Sequence, residues 1–244
     1  MPEIRRQIFA YSGVLKPKPG DRDSKALADY AFGLAGAGAG DPTRACYLPT
    51  AIGDSKEAIA YCTAAMADRP DIEFSILTLF TQPSVPDVRG HLLKQDVIWV
   101  EGGSVVNLMA VWRAHGLPQI LRECWQAGVV LTGLSAGSLC WHLGGPTDSF
   151  SDSLAAFTDG LGLVPFSNGV HDDLDDQPRR RVYREMVADG RLAAGYATED
   201  GVGLHYVGTA LYEAVSILPG KRAWRVDPDG AGGYTEHAVV PRLA

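Results

Sequence analysis

Apolar runs that end on glycine or serine constrain this chain more than any other feature. Asp96–Val100 (DVIWV) runs into Glu101-Gly102-Gly103, Val129–Leu134 (VVLTGL) ends at Ser135, and Gln7–Ser12 (QIFAYS) ends at Gly13. A strand that is apolar on successive residues, rather than on alternate ones, has to be covered on both faces, as strands of parallel sheets are. Ala45–Leu48 and Phe74–Phe80 read as further strands. Ser24–Leu34, Ser55–Asp68, Val105–His115 and Leu117–Ala127 carry apolar residues at helical spacing, with GAGAG closing the first of them and Asp54 or Ser55 capping the second. The expected fold is α/β, a mostly parallel sheet with helices on both faces. Right-handed crossovers then bring the strand C-termini to one edge, where ligands bind. The last third changes character. Gly203–Val207, Ala214–Leu218, Ala223–Val226 and His237–Val240 are short alternating runs, expected as antiparallel strands on the sheet edge. No linker or repeat divides the 244 residues, so one domain over 1–244 is expected.

Composition narrows the function. Hydrophobic residues make up 46% and charged residues 21%, an ordinary globular balance, and the net charge is -7. With an acidic balance and no long basic run, nucleic acid and anionic membranes are not expected partners. No apolar stretch approaches a membrane span, and the N-terminal segment lacks a signal peptide's apolar core, so a cytoplasmic location is expected. Cys46, Cys62, Cys124 and Cys140 have no metal-binding or redox spacing and read as reduced, buried small hydrophobes. The histidines form no HExxH or other zinc pattern, so neither metal nor organic cofactor is expected.

The strongest chemical signal is Gly133-Leu134-Ser135-Ala136-Gly137, a G-x-S-x-G pattern at a strand-to-helix junction. A nucleophile on such an elbow needs small neighbours for the sharp turn, and its hydroxyl then projects at the strand's C-terminal edge. The N–H of Ala136 points to the same place and can stabilise an oxyanion. A second donor is expected from Gly102 or Gly103, in the loop opening the next helix. A serine nucleophile needs a base, and His171, in the polar loop Asn168–Asp173, is the candidate. His142 reads as a packed or surface histidine about two turns into the elbow helix. His91, His115, His205 and His237 have no obvious polar company in the sequence.

GLSAGSLCW, the preceding Gly-Gly loop and the later LGLVPFSNGVH together resemble the peptidase E (aspartyl dipeptidase) family of serine peptidases. The resemblance runs from about residue 95 to 205. It implies a flavodoxin-like fold of the class I glutamine-amidotransferase type, with Ser135 as nucleophile, His171 as base, and Gly103 and Ala136 as oxyanion donors. The family's third member sits in a Glu-Gly turn late in the chain. The matching place is Glu199-Asp200-Gly201, with Asp200 at the family's Glu position. Asp148, after the elbow helix, is the competing acid, and the choice stays open at this level.

The resemblance also implies substrates that are small peptides, dipeptides with N-terminal Asp above all, and a cation to hold that side chain. Arg179, Arg180 and Arg181 could clamp it, or could simply start a solvated helix after Pro178. The acidic cluster Asp172, Asp173, Asp175 and Asp176 reads as a solvated loop or as a site for a peptide's α-amino group. The competing functions are a cyanophycinase-like or other isopeptide hydrolase, and a non-catalytic ligand-binding or sensor protein that kept the fold. A glutaminase would carry Cys at the elbow. A homo-oligomer is compatible with the sequence.

Overall fold

The computed structural model describes residues 5–15, 24–36 and 41–244. Most of the GAGAG stretch lies outside the described residues. In chain order the elements begin with β1 (Gln7–Tyr11), α1 (Lys25–Leu34), β2 (Thr43–Leu48), α2 (Lys56–Met66), β3 (Ile72–Ile76), α3 (Val88–Leu93), β4 (Val97–Val100), α4 (Val105–Ala114), α5 (Leu117–Gln126) and β5 (Val130–Leu134). They continue with α6 (Ala136–Leu139), β6 (Gly145–Thr147), β7 (Ala155–Phe157), β8 (Ser167–Val170), α7 (Arg179–Ala188) and β9 (Gly195–Thr198). The chain closes with β10 (Val202–Val207), β11 (Ala210–Ser216), β12 (Ala223–Pro228), β13 (Tyr234–Val239) and β14 (Arg242–Leu243).

An 8-stranded sheet in the order β14-β11-β10-β1-β5-β4-β2-β3 forms the centre. Strands β1, β5, β4, β2 and β3 run parallel, and β10 and β11 join antiparallel beside β1. The mixed α/β fold with a large, mostly parallel sheet is the one expected. Alternate side chains of each strand serve the two faces. Tyr47 and Trp99 pack with Phe32, Cys62 and Met66 under α1 and α2. Their neighbours Cys46, Leu48, Ile98 and Val100 pack with Leu108, Trp112 and Leu121 of α4 and α5. Burial on both sides explains why these strands read as continuous apolar runs.

The C-terminal third departs from the expectation. Of the four expected runs, only those in β10 and β11 extend the large sheet, with the two-residue β14 added at its edge. Strands β12 and β13 belong to a separate 4-stranded sheet, β13-β12-β9-β8, which also carries the parallel pair β8–β9. A 2-stranded hairpin of β6 and β7 lies beside it. The strand expected over Phe74–Phe80 ends at Ile76, the last residue in register with β2. Beyond it the chain turns away, and the Asp54 carboxylate accepts the Leu79 and Phe80 N–H groups, at 2.5 and 2.8 Å. The elbow helix α6 has only 4 residues, so His142 follows it rather than lying within it.

Candidate active site

Ser135 joins β5 to α6 with φ 53° and ψ -110°, a left-handed backbone that a non-glycine residue keeps only when its surroundings hold it there. They do so here. Its N–H donates to the Tyr11 carbonyl at 3.0 Å. A Cβ on Gly133 would meet the carbonyl oxygens of Gly137 and Val100, and one on Gly137 would strike Val100 again. Both glycines of the G-x-S-x-G pattern are therefore required by close backbone packing, which lets the turn press against the end of β4.

The β4–α4 loop comes up on one side of the elbow. A Cβ on Gly102 would lie 3.3 Å from Ser135 Cβ, so this backbone borders the hydroxyl. Gly103 has φ 133°, and a Cβ there would strike the Ala51 carbonyl. Among the described residues no protein acceptor takes the N–H of Gly103 or of Ala136, whereas the Gly102 N–H donates to Glu101 Oε1 at 2.8 Å. Of the three expected donors, Gly103 and Ala136 are the two left open to a ligand.

His171 follows β8 on the face of the sheet that carries α4 and α5, since Val170 packs into that core. Its own φ is 58°. Its backbone N–H donates to Ser12 Oγ at 3.0 Å, and Ser12 in turn donates to the Thr198 carbonyl at 2.9 Å. The imidazole Nδ1 is 2.6 Å from Asp200 Oδ1, and Nε2 is 3.0 Å from Ser135 Oγ. An ionised carboxylate can only accept, so the ring proton sits on Nδ1 and Nε2 accepts the Ser135 hydroxyl. The second carboxylate oxygen of Asp200 accepts the Leu15 N–H at 2.9 Å, and the Asp200 N–H donates to Asp173 at 2.8 Å. The His171 side chain is buried and that of Asp200 nearly so, at 1% and 12% exposure.

Asp148, the competing acid, is not in this chain. Its carboxylate accepts from Arg179 Nη2 at 2.9 Å and from Gln177 at 3.2 Å, which hold it below the usual carboxylate range against an opposing push from burial. The arginine run does not offer a free clamp. Arg179 faces Asp148; Arg180 pairs with Asp172 and Glu236 and lies over the Trp224 ring; Arg181 reaches Glu185 one helical turn on. Nor is the acidic cluster simply solvated. Asp172 is 1% exposed and receives Arg184 at 2.5 Å, while Asp173 pairs with Lys221. These partners, together with Ser12, escaped the sequence reading. A run of aspartates after a candidate histidine gives no sign of which members turn inward.

Three of the other histidines also gain company. His142 is buried, with Nδ1 donating to the Ser138 carbonyl at 2.8 Å and Nε2 accepting from Tyr206 at 3.1 Å. Burial lowers it to about 4. His205 meets Gln7 and Tyr30, and His91 lies near Ser75 and Cys46. Among the described residues there is no group of three or more His, Cys, Asp or Glu side chains placed to hold a metal ion. No described helix is long and apolar enough to cross a membrane.

The elbow, the Gly-Gly loop and the histidine loop all fall within the span, residues 26–213, that matches the model of peptidase family S51. The chain belongs to peptidase family S51. An uncharacterized peptidase of Bacillus subtilis strain 168, YgaJ, is 39% identical over 183 residues, covering 75% of this chain and 77% of that protein. The fold recurs in a peptidase from an acI-B1 Actinobacterium (TM-score 0.70, 18% identity, 97% of this chain and 95% of that one). It recurs again in a putative peptidase E protein from Listeria monocytogenes EGD-e (TM-score 0.60, 17% identity, 88% and 100%). This S51 member is therefore a peptidase, on the fold shared by those two structures.

Proposed function

We propose that this S51 peptidase is a serine exopeptidase that hydrolyses short peptides, dipeptides foremost, through a Ser135 acyl-enzyme, acting in the cytoplasm as one domain over residues 1–244. One observation carries the reading: the continuous hydrogen-bond chain from Asp200 through His171 to Ser135 Oγ. His171 Nε2 takes the hydroxyl proton as Oγ attacks the peptide carbonyl, and returns it to the leaving amine. Asp200 keeps the ring proton on Nδ1 and stabilises the imidazolium that forms. The N–H groups of Gly103 and Ala136 hold the oxyanion. Water then repeats the sequence on the ester, with His171 again as base.

A preference for N-terminal Asp is the specificity that the family resemblance implies. Arg179, Arg180 and Arg181 lend it no support, because engaging a substrate carboxylate would break an ion pair that each already makes. An isopeptide hydrolase uses the same chemistry and is separated by its substrates. A non-catalytic sensor is disfavoured by the spacing of Ser135 and His171.

Treatment with a fluorophosphonate followed by intact-mass measurement should show one adduct, lost in Ser135→Ala together with dipeptide hydrolysis. Undiminished hydrolysis by Ser135→Ala would remove the acyl-enzyme from the mechanism.

A further inference from the structure

A cavity of about 210 Å³ opens on the α1/α2 face of the large sheet, with Tyr11, Cys62, Met66, Trp99, Glu101 and Leu134 among its lining residues. The chemistry described above uses none of these side chains. Its place in the fold gives it meaning. Leu134 immediately precedes Ser135, and Glu101 immediately precedes Gly102, whose backbone borders the Ser135 side chain. The cavity thus ends at the residues next to the elbow serine and the oxyanion loop, Leu134 and Glu101. His171 comes to the same serine from the other face, anchored through Val170 in the core under α4 and α5. The leaving amine must sit at the imidazole that protonates it. The acyl half of the substrate then lies away from His171, toward the α1/α2 side.

The walls specify the occupant. Two polar groups at the wall are turned onto each other, with Trp99 Nε1 donating to the Tyr11 hydroxyl at 2.9 Å. The Glu101 carboxylate accepts from the Tyr47 hydroxyl at 2.5 Å and from the Gly102 N–H. Lys25 also lines the cavity, its ammonium 4.7 Å from the centre of the Tyr61 ring. The lining therefore carries both signs beside a larger aromatic, aliphatic and thiol surface. The volume lies below the roughly 300–1,000 Å³ of sites that enclose whole small ligands, and suits one side chain.

We propose that this cavity is the subsite for the side chain of the residue whose carbonyl Ser135 attacks, and that it selects an apolar side chain of leucine or methionine size over an acidic one. An aliphatic group gains by leaving water there. A carboxylate would be desolvated there beside the carboxylate of Glu101. This inference rests on the serine-peptidase reading and sharpens it, replacing an aspartyl preference with an apolar one.

The test is kcat/KM for Leu-Ala, Met-Ala, Gly-Ala and Asp-Ala. The wild type should favour Leu-Ala and Met-Ala over Gly-Ala by at least about tenfold, the scale on which hydrophobic pockets discriminate, with Asp-Ala no better than Gly-Ala. Ala65→Phe, on the cavity side of α2, should bring the Leu/Gly ratio close to 1. Ala64→Phe, exposed on the same helix, should leave the ratio at its wild-type value. Thermal melts and fluorophosphonate titration establish that each variant is folded with a competent serine. If Ala65→Phe does not fold, Ala58→Met fills the cavity from one end of the same helix and decides the matter. A wild type that favours Asp-Ala, or a Leu/Gly ratio untouched by the folded cavity variant, overturns the subsite while leaving the serine peptidase intact. Absence of both adduct and hydrolysis for every peptide overturns the serine-peptidase reading and the subsite with it.

Discussion

Ser135 and His171 share a backbone state that side chains avoid, φ 53° and 58°, and each is held in it by a single acceptor of its N–H within β1 or just past it. Strain of this kind costs on the order of 1–3 kcal/mol per residue and persists because the surroundings determine it. Both residues were legible in the sequence, one from the glycines that its turn requires and the other from its place in the polar loop Asn168–Asp173. The acid was not, because Asp148 and Asp200 fit the sequence equally well until their partners are seen. Asp200→Asn should lower kcat by about four orders of magnitude, as the equivalent change does in a well-studied serine protease. The amide can donate to Nδ1 and so favour the wrong tautomer. Asp148→Asn should change kcat by less than about tenfold, since its carboxylate faces Arg179 and Gln177. Steady-state kinetics of the two variants on one dipeptide makes the comparison, and the opposite ranking would exchange their roles.

At the level of elements, helix α7 braces the histidine loop. Arg184 and Arg180 project from it onto Asp172, the residue after His171, and onto Glu236 of β13. Removing one partner of a buried pair strands the other, at a typical cost of 3–5 kcal/mol. Asp172→Asn should therefore lower the unfolding free energy by about 3 kcal/mol in denaturant titration. The double variant Asp172→Asn with Arg184→Met should recover part of that loss, because the buried guanidinium that faced Asp172 is removed with it. Equal destabilisation of the single and double variants would mean that the pair is not what Asp172 contributes. The same elements show where sequence reading stops. The parallel strands announce themselves because burial on both faces demands apolar runs. Strands β8 (SNGV) and β9 (GYAT) do not, since glycine and hydroxyl residues replace bulk where Tyr183 packs directly on Gly169 and Ser167 bonds to Tyr183 at 2.8 Å.

For the whole molecule, acid stability follows from the buried imidazoles. His142 titrates near 4 in the folded protein against 6.5 ordinarily, because burial disfavours its charged form. As pH falls below about 6.5 the unfolded chain binds a proton that the folded one does not take until about 4. Stability is therefore complete above that window, declines through it and levels off below it. The full drop from His142 is about 3 kcal/mol, and His205, also lowered to about 4, adds to it with the same sign. His142→Gln should show a shallower fall in melting temperature from pH 6.5 to 4 than the wild type. Parallel pH profiles would assign the acid sensitivity to other groups.

The three residues of the hydrogen-bond chain do not share one layer of the molecule. Ser135 belongs to the end of a strand in the large sheet, His171 to the end of one in the 4-stranded sheet, and Asp200 to the turn from β9 in the smaller sheet to β10 in the larger. Their meeting is thus a gauge of how the two layers are seated. A slip of about an ångström between them would leave every strand intact and still open the contact, a displacement that can cost a hundredfold in rate. In a urea series, hydrolysis should fade at lower denaturant than far-ultraviolet ellipticity. Coincident midpoints would mean that the layers part only when the whole chain does.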